Sequence, residues 1–304
     1  MQMTWYNVYR NCCERVFSLR SIILQTKENS MSSADLKTER KSPKKKRILP
    51  IILLAVLAVI LAVVIYAAIQ AGQNKEQMNL CADAAIADIG SAYSLTSVDC
   101  SEFENLTVYG FMKFQIEQYD VENLGNLCVM RANGGVMQML TITLTPAKID
   151  MPLFSVDYMY ILGNRTAYVE VYDLNIGESQ VRENTIENLK SIGAQFSRLT
   201  DTTPSSAWYD SLRPAGSYKK VSANEDDALL EMLEQYLNEY LNGAKECELL
   251  SEDKIPEKLD AMEAYTHRLI SEGGISTDVF KKELGEEQTR KFFDNVMFGT
   301  GNYR

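Results

Sequence analysis

From Ile48 to Ile69 the chain reads ILPIILLAVLAVILAVVIYAAI, 22 residues with no charge and no polar stripe. As a helix rising about 1.5 Å per residue it would be about 33 Å long, enough to cross a bilayer core of about 30 Å. Apolar on every side for this length, the run predicts a transmembrane helix over 48–70 rather than a buried core helix or the shorter apolar stretch of a signal peptide. Beyond it the pattern turns amphipathic, with a helix expected around 74–89, and then alternates with period two. Met112, Phe114 and Ile116 alternate with Lys113, Gln115 and Glu117, and Leu140, Ile142 and Leu144 alternate with Thr141 and Thr143. Asn133-Gly134 interrupts two apolar runs between 127 and 144, and Gly163-Asn164 separates 153–161 from 166–172. Both pairs accept positive φ, so each predicts a hairpin. Strands joined by such short turns are antiparallel, which gives a meander of roughly five strands.

The last third changes period again. Ser222 and Glu225 have capping-box spacing ahead of Leu229, Leu230, Leu233, Tyr236, Leu237, Tyr240 and Leu241, an apolar stripe that Gly243 is expected to end. Pro256 opens a helix with Leu259, Met262, Tyr265 and Leu269 on one face. Ser276 starts a short helix ended by Gly285, and Phe292, Phe293, Val296 and Met297 line the last one. Strands first and helices afterwards predict an α+β fold with helices packed on the sheet.

Charge divides the chain at the apolar run. Residues 1–47 carry 11 Lys/Arg against 4 Asp/Glu, net +7, and residues 48–304 carry 20 against 37, net −17. Lys41, Lys44, Lys45, Lys46 and Arg47 precede the run and Lys75 alone follows closely, so the positive-inside rule leaves the N-terminus in the cytoplasm. Three regions are expected: a basic cytoplasmic segment at 1–47 without fixed structure, in which Met31 is a candidate start; the lipid-embedded helix at 48–70; and an outer domain at 71–304. At −17 the outer region repels a nucleic-acid backbone, which argues against nucleic-acid binding. A single histidine, His267, rules out sites needing two imidazoles, and no phosphate-binding glycine loop or nucleophile elbow is present, so no metal site is expected. Cys12 and Cys13 fall on the cytoplasmic side. Cys81, Cys100, Cys128 and Cys247 fall outside, where three pairings and reduced thiols are all permitted; Cys81 with Cys100 is the pairing expected.

One acid stands out on physical grounds. Alternation within 153–161 puts Asp157 on one face with Leu153, Ser155, Met159 and Ile161. A carboxyl on so apolar a stripe loses water, its pKa rises, and it can donate a proton near neutrality, unless it points to solvent or meets a cation. His267 adjoins Tyr265 on the buried stripe of its helix, but nothing in the sequence ties it to a nucleophile. The acidic run Glu225-Asp226-Asp227 suits the first turn of a helix, and Met130, Met137 and Met139 suit a sheet core.

The segment Ile149-Asp-Met-Pro-Leu-Phe-Ser-Val-Asp157-Tyr resembles the D-L-P-x-F-G-x-D strand of the ferredoxin-dependent bilin reductases. Phe280-Lys-Lys-Glu-Leu-Gly285 followed by Phe293-Asp-Asn-Val-Met-Phe298 resembles their C-terminal L-x-x-x-F-G and Y-x-x-x-L-F helices. The motifs come in family order over residues 105–300, as separate motifs rather than continuous identity. The resemblance implies an α/β/α three-layer sandwich with a central antiparallel sheet, here preceded by one N-terminal transmembrane helix. It implies a linear tetrapyrrole (bilin) held between the sheet and the C-terminal helices and reduced by single electrons, each coupled to a proton from the protein. Asp157 falls on the family's principal acid, and the expected ligand contacts are Leu140, Met159, Tyr265 and His267. No covalently bound cofactor is implied.

Two positions depart from the pattern. Counted back without gaps, the family's catalytic histidine falls on Leu140, and its asparagine-aspartate pair falls on Gly273 and Gly274, which leaves Asp157 as the sole proton-handling group. Acidic ferredoxin would meet a domain at −17 on the far side of a membrane, which argues against ferredoxin as partner and leaves the electron donor unassigned. Two readings remain: a membrane-anchored domain that binds, and in its catalytic form reduces, a linear tetrapyrrole, or a non-catalytic cell-envelope interaction or structural module that keeps the fold.

Overall fold

The computed structural model describes residues 45–274 and 277–304. The expectations for residues 1–44, including Met31, Cys12 and Cys13, and for Ser276 as a helix start, lie outside the described residues. The described residues divide into two compact units, one containing 45–63 with 205–207 and the other 64–204 with 208–304.

Helix α1 (Lys45–Ala92) is a single 48-residue helix, so the expected boundary between residues 70 and 71 falls inside it. Its two parts differ in what surrounds them. From Ile51 to Val63 every large apolar side chain is exposed, and this is the helix long and apolar enough to cross a membrane. From Asn74 onward the buried positions are Asn74, Met78, Cys81, Ala82, Ala85 and Ile89, spaced as one helical face against a core.

The sheet contains β1 (Leu95–Val98), β2 (Thr107–Val108), β3 (Met112–Val121), β4 (Gly125–Asn133), β5 (Met137–Pro146), β6 (Leu153–Ile161), β7 (Asn164–Tyr172) and β8 (Ala215–Ser222). Its order is β1-β3-β4-β5-β6-β7-β8 with β2 also on β3, eight strands in all and antiparallel at every pairing. The five central strands of the meander are where alternation puts them. The strands it missed are the short β1 and β2 and the polar β8, whose Lys219 is buried and donates to Asp201 at 2.5 Å, so that no apolar alternation marks the strand.

Alternate residues build two unlike faces. One carries Leu127, Val129, Leu140, Ile142, Leu144, Phe154, Val156, Tyr158 and Tyr160, all buried against the end of α1, α2 (Gln180–Gln195) and α3 (Asp226–Glu246). Tyr158 donates to the Leu229 carbonyl at 3.1 Å and Tyr240 to the Pro152 carbonyl at 2.7 Å, which fixes α3 on this closed face. The other face meets α4 (Ile255–Glu272), α5 (Thr277–Leu284), α6 (Glu286–Phe292) and the turns that end the chain. There Gln118 and Asn126 donate to the carbonyls of Asn295 and Val296 at 2.7 and 3.1 Å, and Phe114 packs on Phe280. Helices on both sides of an antiparallel sheet make the α/β/α sandwich expected.

Four local expectations need correction. Ser222 ends β8 and caps nothing, because a 3-10 turn at Ala223–Glu225 intervenes and Ala223 N–H donates to the Gly163 carbonyl at 2.9 Å. Gly243 does not end α3; it lets the helix pass close to α2, where a Cβ would collide with Thr185, and the helix continues to Glu246. Helix α2, unmarked in the sequence reading, is capped by Ser179, whose hydroxyl accepts from Arg182 N–H at 3.3 Å. Cys81 and Cys100 are not paired: all four described cysteines are free. Cys81 is in the closed-face core, where burial pushes its thiol up to about 11, whereas the Cys100 thiol donates to the Ile116 carbonyl at 3.5 Å and lines a cavity with Asn295 and Val296 on the other side.

Candidate functional site

The β5–β6 connection is locked before β6 begins. Lys258 of α4, fully buried, donates to Asp150 Oδ1 at 2.9 Å and to the carbonyls of Met151 and Leu174 at 3.0 and 2.9 Å. Arg182 donates to the other Asp150 oxygen at 2.9 Å. A buried cation with three acceptors and a shared carboxylate fixes the register in which β6 enters the sheet.

On the face turned toward the C-terminal helices, cross-strand pairing draws rows of side chains. One row runs Ile116, Met130, Thr141, Asp157, Tyr168, Tyr218. The row nearer the hairpin tips runs Phe114, Ala132, Met139, Met159, Thr166, Lys220, and the row on the other side includes Cys128, Thr143, Ser155 and Glu170. Ile116, Met139, Asp157, Met159, Tyr168 and Tyr218 are all half-buried, so a strip across the middle of this face stays partly open.

Asp157 has one polar partner here: the Thr141 hydroxyl donates to its Oδ1 at 2.7 Å, and among the described residues no cation pairs with it. Burial, reinforced by the nearby Glu170 carboxylate and only partly offset by Thr141, pushes the Asp157 carboxyl up to about 7. Such a group holds a proton near neutrality and can give it up. Glu170 is itself enclosed: it accepts from the Tyr172 hydroxyl and from Arg213 Nη1, each at 2.6 Å, and Arg213 lies over the rings of Tyr209 and Tyr218. Beyond this pair the strip is closed by aromatic rings, with Tyr265 of α4 packed on Tyr172 at 5.1 Å and on Trp208 at 5.8 Å.

The expected site residues therefore separate. Asp157 and Met159 share the open strip, and Tyr265 belongs to the ring cluster at its closed end. His267 does not face the strand: its Nε2 lies 3.0 Å from Asp294 and its Nδ1 3.3 Å from Arg290, so it braces α4 against the last helices. Leu140 is a correction. It pairs with Tyr158 and is fully buried on the closed face, so it is not beside Asp157; Thr141 is. Strand side chains alternate, and a count one residue off selects the opposite face. Gly273 ends α4 at φ +90° and its carbonyl accepts from Trp208 Nε1 at 2.9 Å, a loop position with no side chain to move a proton.

Sequence reasoning missed Thr141, Tyr168, Glu170, Arg213 and Tyr218. Glu170 was within reach of the argument that selected Asp157, being a carboxyl in the middle of the run 166–172, whereas Arg213 comes from a connection with no pattern. Among the described residues, one surface cavity lined by Cys100, Phe103 and Val296 and another lined by Pro256, Leu259 and Tyr303 lie away from Asp157.

No family model and no curated protein sequence matches the chain. Among solved structures it is similar to the crystal structure of selenomethionine phytochromobilin synthase from tomato in complex with biliverdin. The TM-score is 0.58 at 16% identity, covering 72% of this chain and 81% of that one. The likeness is one of fold, a bilin reductase-like sandwich.

Proposed function

We propose that this chain is a membrane-anchored protein that binds a linear tetrapyrrole along the strip beside Asp157, with Asp157 giving the ligand a proton as it is reduced. One observation carries the reading: a half-buried carboxyl with no cation partner among the described residues, pushed up to about 7, on the sheet face turned toward the C-terminal helices. The tomato enzyme of similar fold is in complex with biliverdin, which supports a bilin as the ligand class. In this reading residues 48–70 hold the chain in the bilayer and 71–304 form the outer domain, with the N-terminus cytoplasmic. Met159 supports the conjugated plane, Tyr265 bounds the strip, and Thr141 orients the carboxyl through its hydrogen bond. Electrons come from a one-electron donor other than an acidic ferredoxin.

A second reading, a non-catalytic module that keeps the fold, is favoured by Leu140, on which the family's catalytic histidine falls, standing in the core. One titration separates the two. Full-length protein in detergent micelles is titrated anaerobically with biliverdin. A saturable shift of the long-wavelength band, altered in Asp157→Asn, is the expected outcome. No shift at micromolar ligand would sink the tetrapyrrole reading and leave the module.

A further inference from the structure

The meander sends its connections alternately to two ends of the sheet, and the ends differ in charge. At one end are the turns at 109–111, 134–136 and 162–163, none of which contains a charged residue, and the 3-10 turn at 223–225, where Glu225 is the one charge. At the other end the connections carry Glu122, then Lys148 and Asp150, then Asp173 and Glu178.

The turns at this end form a rim whose charges are few: Glu225 stands in it, and the Tyr109 turn is met by Glu283, which accepts from Tyr109 N–H at 3.1 Å, and by Lys282 over its ring. Leu162 N–H donates to the Val136 carbonyl at 3.3 Å and Ala223 N–H to the Gly163 carbonyl at 2.9 Å. The rim also reaches α1 within the same compact unit: a Cβ on Gly163 would stand 3.5 Å from the Tyr66 hydroxyl and 3.6 Å from Gln70 Oε1. Tyr66 and Gln70 bracket the end of the charge-free run at Ile69. An aromatic residue within the last turn of the apolar run, with Gln70 the first polar residue after it, suits the place where a spanning helix meets the headgroup layer. With 48–70 in the bilayer as proposed above, the tip beside Tyr66 and Gln70 stands at the level of that layer, and Val136 is 48% exposed on its own tip.

We infer that this rim rests on the surface of the bilayer that holds the anchor, with Val136 seated among the headgroups and upper acyl chains. The inference rests on the anchor reading above. The partner is zwitterionic lipid, because Glu225 and a domain at −17 would be repelled by an anionic surface. Placement of this kind also directs the site. Met137, Met139, Met159 and Ile161 occupy the rim end of the Asp157 face, and Asp157 is four residues from Ile161, about 13 Å down the strand. A flat apolar ligand would reach Asp157 from the lipid side along these methionines.

The test uses the full-length chain in phosphatidylcholine vesicles whose acyl chains carry bromine, which quenches tryptophan on close approach. Val136→Trp is compared with Leu249→Trp, a site 58% exposed beside Ile149 at the charged end, and the unmodified chain supplies the background of Trp5 and Trp208. With the rim seated in the headgroup layer, Val136→Trp should be quenched ~3-fold more strongly than Leu249→Trp. Equal quenching of the two, strong or weak, in protein that floats with the vesicles overturns the docking and leaves the anchor intact. Failure to float overturns the anchor, and the docking with it.

Discussion

On β6, Val156 is fully buried and Asp157, the next residue, is half-buried beside one hydroxyl, although the two share a backbone and a register. The faces they represent are stabilised differently. The closed face buries aliphatic and aromatic side chains under three helices, with Tyr158 tied to the Leu229 carbonyl and Arg165 to Asp226. The open face is a strip of threonine, methionine, tyrosine and the Asp157 carboxyl, which has a hydroxyl but no cation beside it among the described residues. Hydrophobic burial dominates stability where packing is complete. A carboxyl with no cation partner among the described residues costs stability instead, and that cost is what the proposal above rests on.

The contrast yields graded expectations. Phe154→Ala, which empties a closed-face site packed on Tyr240, should cost ~4 kcal/mol in denaturant unfolding of the detergent-solubilised protein. A loss below ~1 kcal/mol would mean that this face is not the packed core. Leu140→Ala should cost ~3 kcal/mol yet leave the biliverdin spectrum unchanged, because the side chain is on the closed face. Weakened ligand binding at unaltered stability would return Leu140 to the site.

Asp157→Asn tests the open face through pH. The carboxyl is raised in the folded state to about 7, so the folded protein binds the extra proton more tightly than the unfolded chain does. Stability contributed by that proton is complete below the ordinary carboxyl pKa, falls as pH rises, and is lost above about 7. The asparagine variant should thus match the parent in acid and exceed it by ~2 kcal/mol in mild alkali, a figure kept below the full linkage value because the strip is partly wet. In the same variant proton-coupled bilin reduction should disappear; unaltered turnover would remove Asp157 from the chemistry. The smallest expected effect on stability is that of Met159→Ala, ~1 kcal/mol or less, accompanied by a weaker biliverdin shift. A large stability loss with no spectral change would make Met159 core rather than site.

Much of this was legible in the sequence because it depends on periodicity. The 22-residue apolar run, the five central strands, the helical stripe through Leu233, Tyr236 and Tyr240, and the carboxyl at Asp157 on an apolar alternation all follow from which residues repeat at 3.6 or at 2. What tertiary structure alone decided are the matters in which distant segments meet. Thr141 rather than Leu140 faces Asp157 because register across β5 and β6 sets the partner, and a count along one strand cannot see it. Glu170 and Arg213, 43 residues apart, form an enclosed pair only once β7 and the approach to β8 are packed together. His267 turns to Asp294 because the final helices fold back on α4, and Lys258 is buried because two separate connections, at 150–151 and at 174, supply its three acceptors. Local pattern determines which faces are apolar. Burial, and with it the proton affinity of Asp157, is a property of everything packed around a residue, which one strand does not contain.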